Sequence, residues 1–257
     1  MKRYCFTTDD NILFLRDMSV KEYSTVFEHP YLELFKKMHE KYGLCVQMNL
    51  FYSCEEFSLA HMSDRYRNEF LENADWLLFS FHSEQEYPAH PYRSASYEEV
   101  FRDSSTVNRE ISRFAGDRSL APTTTLHYCT ATAEGTRALY DCGVRGLFEL
   151  FGDEKSPRDS YALSPDKAAL VRAGIPTLHD GITYFNIDVI LDRLNVTEIP
   201  AQIDELSHKD FMGVLIHEQY FYPEYRYYQS DYADKVELAV KCLNEKGFTS
   251  VLARDIL

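Results

Sequence analysis

The 257-residue chain has no run of about 18 apolar residues, so nothing in it reads as a membrane span. Its opening stretch, MKRYCFTTDD, lacks the apolar segment of a secretion signal, and the expectation is a cytoplasmic protein. No CxxC pair occurs among the six scattered cysteines, which predicts free, mostly buried thiols in a reducing compartment. No linker rich in Gly, Pro or Ser breaks the chain, and no repeat or low-complexity tract appears, so residues 1–257 read as a single domain. No glycine-rich phosphate fingerprint follows the first apolar run, which disfavours an open nucleotide-binding sheet. Basic residues are scarce: 27 Lys and Arg stand against 41 Asp and Glu, for a net charge of −14. That disfavours a nucleic-acid or anionic-membrane partner, either of which needs a basic face.

What is present is alternation. Apolar runs of strand length (RYCFTT, LCVQMNLFY, WLLFSFH, PTTTLHY, GLFELF, GITYFNI, MGVLIHE, TSVLARDIL) are separated by longer amphipathic stretches. Helices are predicted over Val26 to Tyr42, in SDRYRNEFLENA with Ser63 as its cap, over Tyr97 to Ala115, and in TAEGTRALYDCG, SPDKAALVRAG and VTEIPAQIDEL. A last helix is predicted over Tyr232 to Lys246. Strand–helix alternation from end to end implies a parallel sheet covered by helices, and about seven or eight such units suit a closed (β/α) barrel.

The titratable residues fall at strand ends: Asp9 and Asp10 after the first strand, His82 after the third, His127 after the fourth, His217 and Glu218 after a late one. In a barrel all those ends open on one mouth, so residues far apart in sequence are expected to share a pocket. Two adjacent carboxylates repel each other unless one binds a cation and the other stays free as a base. Asp with His suits Zn²⁺ or a similar divalent metal, with Co, Ni or Fe as alternatives. A cation, a free carboxylate and a facing histidine together make a hydrolytic site.

At these residues the chain resembles the polysaccharide deacetylases of the NodB-homology group. Thr7-Thr8-Asp9-Asp10 matches the family's T-F-D-D, His82-Ser83 opens its H-S/T-x-x-H, and Leu215-Ile216-His217 matches its L-x-H. Gly143-Val144-Arg145-Gly146 fits the segment entering a later strand. Two positions depart from the pattern. Glu86 stands where the second motif has its second His, and His127 stands where a later motif has Arg.

The resemblance implies a distorted (β/α)7 TIM-like barrel and a metal-dependent hydrolase of carbon–nitrogen bonds other than peptide bonds. It further implies a small-molecule or oligosaccharide substrate carrying N-acetyl groups. It assigns Asp9 as general base, Asp10 and His82 as metal ligands, and His217 as the acid that protonates the leaving amine. The third ligand stays open between Glu86, His90 and His127, with His127 otherwise a substrate-contacting group. Glu218 and Arg93 are candidates for orienting the acid or meeting substrate. The stretch HEQYFYPEYRYYQSDY, with Tyr220 in it, is either a packed loop or an aromatic wall for sugars. Two rival readings remain: a metal-free glycosidase built on Asp9, Asp10 and Glu218, and a non-catalytic sugar-binding barrel that has lost its metal.

Overall fold

The computed structural model describes residues 1–151 and 161–257. The first strand, β1 (Lys2–Asn11), is buried over almost its whole length because it is paired on both edges. It runs parallel to β2 (Val46–Phe51) on one side and to β11 (Phe211–His217) on the other, with the short β12 (Phe248–Ser250) beside its start. Beyond β2 lies β5 (Leu77–Ser83), and beyond β11 lies β10 (Val189–Ile190), all parallel. These strands read as continuous apolar runs because helices cover one face and the barrel interior the other. A second sheet holds β6 (Thr123–Thr124), β7 (Gly146–Glu149) and β9 (Ile182–Asn186) in parallel, with β8 (Thr177–His179) antiparallel at its edge. A two-rung hairpin, β3 (Ser53–Cys54) with β4 (Phe57–Ser58), stands above the ends of the strands.

The two sheets approach each other at two seams, so that β1, β2, β5, β6, β7, β9 and β11 are arranged as a distorted barrel. At one seam Phe79 bridges Leu120. At the other the Asp188 N–H donates to the Gly213 carbonyl at 2.8 Å. Gly213 is required there: a Cβ on it would stand 2.2 Å from the Asn186 carbonyl oxygen. The Asp188 carboxylate locks the same seam by accepting from Gly213 N–H, Asn186 Nδ2 and Lys209 Nζ.

The helices are α1 (Leu13–Val20), α2 (Pro30–Tyr42), α3 (Arg67–Glu72), α4 (Tyr97–Phe114), α5 (Ala133–Asp141), α6 (Pro165–Arg172), α7 (Ile199–Leu206) and α8 (Tyr232–Glu245). Local signals explain most of them. Pro30 opens α2 and Gly43, at φ 71°, closes it. Ser96 and Glu99 form a capping box on α4, and the Thr132 hydroxyl accepts from Gly135 N–H to cap α5.

Several expected boundaries shift. The segment from Val26 is a separate 3₁₀ turn, and the α-helix waits for Pro30, where φ is already set for it. Ser63 accepts only from Arg65 N–H, and α3 starts at Arg67. The closing strand is three residues long and gives way to a 3₁₀ turn at Ala253–Ile256. No disulfide joins any of the six cysteines, all of which lie among the described residues, and Cys5, Cys129 and Cys242 are buried. Among the described residues no helix is long and apolar enough to cross a membrane.

Candidate active site

Adjacent residues on a regular strand point to opposite faces, so Asp9 and Asp10 cannot both face the mouth unless the strand is broken there. It is broken. Asp10 lies in the left-handed region at φ 59°, and the pairing of β1 with β2 slips between Thr8 and Asn11. The buried Asn11 side chain fastens this bulge. Its amide donates to the carbonyls of Thr8 (2.6 Å) and Asn49 (3.0 Å), and its oxygen accepts from Tyr31 Oη at 2.9 Å. A second slip, between Leu50 and Phe51 of β2 opposite β5, sits beside His82 and re-aims it.

His127 arrives differently. Strand β6 ends at Thr124, and His127 opens a tight turn in which Tyr128 and Cys129 have φ of 66° and 53°. These departures bring Asp10, His82 and His127 together, with ligand atoms all within 4.8 Å of one another. Asp10 Oδ1 is 3.0 Å from His82 Nε2 and 3.2 Å from His127 Nδ1, and the two ring nitrogens are 3.1 Å apart.

The far nitrogen of each imidazole is tied to the backbone: His82 Nδ1 to the Thr125 carbonyl, and His127 Nε2 to the Glu86 carbonyl at 3.1 Å. A carbonyl accepts only, so those nitrogens carry protons; the facing ones donate to Asp10 when protonated and would offer lone pairs to a bound cation. Two lone pairs and a carboxylate oxygen converging on one point form a donor set that suits a divalent cation. Burial disfavours charge on Asp10, but the two histidines outweigh it and hold its carboxyl well below the usual range.

Asp9 is 2% exposed and does not join the triad. Its Oδ1 accepts from Asn49 Nδ2 at 2.6 Å, and burial raises its pKa above the ordinary carboxylate value. His217 is in register with Asp9 on the neighbouring strand, so the two lie side by side at the mouth. Its Nδ1 donates to Asp192 Oδ1 at 2.8 Å, which leaves Nε2 for the cavity. Burial opposes the imidazolium, but the Asp192 charge prevails and His217 is raised to about 9. Asp9, Asp10, His82, His127, His217 and Tyr220 all line one cavity of about 230 Å³. It adjoins a second of about 440 Å³, and Asp10, Glu86, Gln219 and Tyr225 border both.

The remaining candidates disperse. Glu86 lines the cavity, half-buried, with burial raising its pKa, but its carboxylate is outside the triad. His90 is exposed and its ring lies 4.0 Å from that of Tyr128. Arg93 is exposed and lines neither cavity.

Glu218 is fully buried and serves α1. Its carboxylate accepts from the N–H groups of Ile12 (2.6 Å), Leu13 (2.8 Å) and Phe14 (2.7 Å), donors that no local side chain caps. Replacing it leaves three donors unmet, those of Ile12 and Phe14 buried and that of Leu13 partly so. Glu218→Ala is therefore expected to cost about 3 kcal/mol, with Glu218→Gln intermediate, read from denaturant midpoints. Asp192 and Asn49 were missed by sequence reasoning, since neither stands in a motif and both act through contacts remote in sequence.

No protein-family profile matches the chain, and no curated protein matches it in sequence. Solved structures do share its fold. A 4-alpha-glucanotransferase from Thermococcus litoralis superposes over 99% of this chain and 40% of its own, at 14% identity and a TM-score of 0.60. A carbohydrate deacetylase, Agd3, superposes over 100% of this chain and 53% of its own, at 9% identity and a TM-score of 0.57. A family 4 carbohydrate esterase from Streptomyces lividans, solved with acetate, superposes over 97% of this chain and 91% of its own, at 12% identity and a TM-score of 0.50. The chain thus spans well under two thirds of the first two proteins. Likeness at identities this low shows the fold alone, a distorted α/β barrel shared with these structures, and leaves function to the site.

Proposed function

We propose that the chain is a divalent-metal hydrolase that removes acetyl groups from N-acetylated sugars or oligosaccharides. The observation that carries this reading is the meeting of Asp10, His82 and His127 in one cavity with Asp9 and His217. One carboxylate and two backbone-anchored imidazoles fit Zn²⁺ best, with Co, Ni or Fe as alternatives. Bound there, such a cation would polarise an amide carbonyl and make water more acidic.

The protein's own groups divide the proton transfers. Asp9, buried and held on one oxygen by Asn49, takes a proton from the attacking water. His217, held protonated by Asp192, gives one to the departing amine. Leu126, Ile190 and Leu215 supply apolar wall where a small acyl group fits, and Tyr220 and Tyr225 offer rings to a sugar face. The structural likeness to carbohydrate deacetylases supports the same substrate class. The metal-free glycosidase alternative loses Glu218 from its three candidate carboxylates, because that group accepts from the first N–H groups of α1.

The test is acetate release from a panel of N-acetylated mono- and oligosaccharides, before and after chelation. Metal-dependent release is expected. Because His217 acts protonated and Asp9 ionised, the rate should hold between the pKa values of the two groups and fall as pH rises through about 9. Asp192→Asn removes the anion that sustains that proton, so the alkaline limb should move down by about one pH unit or more. Acetate release that ignores chelation, or a limb indifferent to Asp192, refutes the reading.

A further inference from the structure

We infer that Asn49 is the positioning residue for the base, acting as the last member of an amide relay that runs through the barrel interior. This rests on Asp9 being the base. The relay starts at a group that cannot rotate, the Thr123 backbone carbonyl, which accepts from Gln47 Nε2 at 3.0 Å. The Thr123 hydroxyl donates to Gln47 Oε1, so the Gln47 amide has one orientation. Gln47 Nε2 also donates to Asn49 Oδ1 at 2.8 Å, and the Ser80 hydroxyl donates to the same oxygen. With its oxygen taken by two donors, Asn49 must turn its NH₂ the other way, to Asp9 Oδ1 at 2.6 Å and Thr125 Oγ1 at 3.2 Å.

Every member of the relay is at most 3% exposed, so water does not compete for these bonds. The consequence for Asp9 is geometric: the bond to Oδ1 restrains the carboxylate and leaves Oδ2 without a share in it, free to accept on the cavity that Asp9 lines. A neutral amide does this without adding a cation beside the triad. Asn49 sits on β2, forty residues from Asp9, and touches neither Asp10 nor the histidines through any of these bonds.

The experiment compares Asn49→Ala, Asp9→Asn and the double variant, with bound metal measured in each and acetate release from the best substrate of the panel as the rate. A carboxylate free to swing loses alignment, and Asn49→Ala should lower kcat about 30- to 100-fold with KM and metal content unchanged. In the Asp9→Asn background the same substitution should change the residual rate less than twofold, because Asn49 acts through Asp9. Should Asn49→Ala fail to fold, Asn49→Ser carries the test: it keeps an acceptor for Ser80 and Gln47 but falls short of Asp9. A wild-type kcat in a folded Asn49 variant overturns the inference, as does a loss that adds in full to that of Asp9→Asn, or one that tracks lost metal. An inactive wild-type protein, or an Asp9→Asn variant as fast as wild type, fails the base assignment itself and is recognisable as that separate failure.

Discussion

Asp9→Asn should abolish turnover, about 10³-fold in kcat, while leaving the metal content of the protein untouched. The two halves of this result come from different atoms. Asparagine has the size of aspartate, and its side-chain oxygen can accept from Asn49 Nδ2 as Oδ1 does now at 2.6 Å. The bulge is held by Asn11 and the strand by its pairing with β11, and neither involves the Asp9 carboxylate. What disappears is the proton acceptor, and no neighbour replaces it. Asp10 is engaged with both triad histidines and held well below the ordinary carboxylate range, too weak a base for the task. Metal content by elemental analysis and kcat from acetate release check the two halves together. Loss of metal on Asp9→Asn would mean that the two aspartates have exchanged roles.

The acidic doublet was legible because strand ends in a barrel converge, and that rule needs only the order of elements. Asp9, Asp10, His82 and His217 follow from it directly. A barrel followed from strand–helix alternation, while its distortion was implied only by the family resemblance. What could not be read was whatever a distant residue decides. Helix α1 has no acidic first turn and no local cap, so the stretch after Asn11 carries no start signal; its cap is Glu218, from the opposite end of the chain. The same contact explains why Glu218, which the motif order placed at the mouth, has another task. Asp192 is equally invisible, because a 3₁₀ turn after a two-residue strand brings it to His217. His127 was seen as a strand end, but its part in the triad depends on two left-handed residues that composition does not announce.

The proposed third ligand is the assignment the sequence left open, and a three-way comparison tests it: His127→Ala should release the metal, whereas Glu86→Gln and His90→Ala should retain it. His127 presents Nδ1 to Asp10 Oδ1 at 3.2 Å and is kept in that tautomer by the Glu86 carbonyl. Removing it leaves two donors where three converge. The loss of affinity should therefore exceed the roughly 10- to 100-fold typical of changes to a ligand's hydrogen-bond partner. Glu86→Gln alters a side chain whose backbone carbonyl, not its carboxylate, supports the site, so the bond to His127 Nε2 survives the substitution. Expected for Glu86→Gln is unchanged metal content with an altered KM, since Glu86 borders both cavities. His90→Ala removes a ring from the face of Tyr128 at the surface and should leave metal content and kcat within about twofold. Competition with a chromophoric chelator ranks the three affinities. Full retention of metal by His127→Ala, with loss in Glu86→Gln, would return the site to the H-x-x-x-E spacing written in the chain, and the loop carrying Glu86 would then have to turn its carboxylate inward when the cation binds.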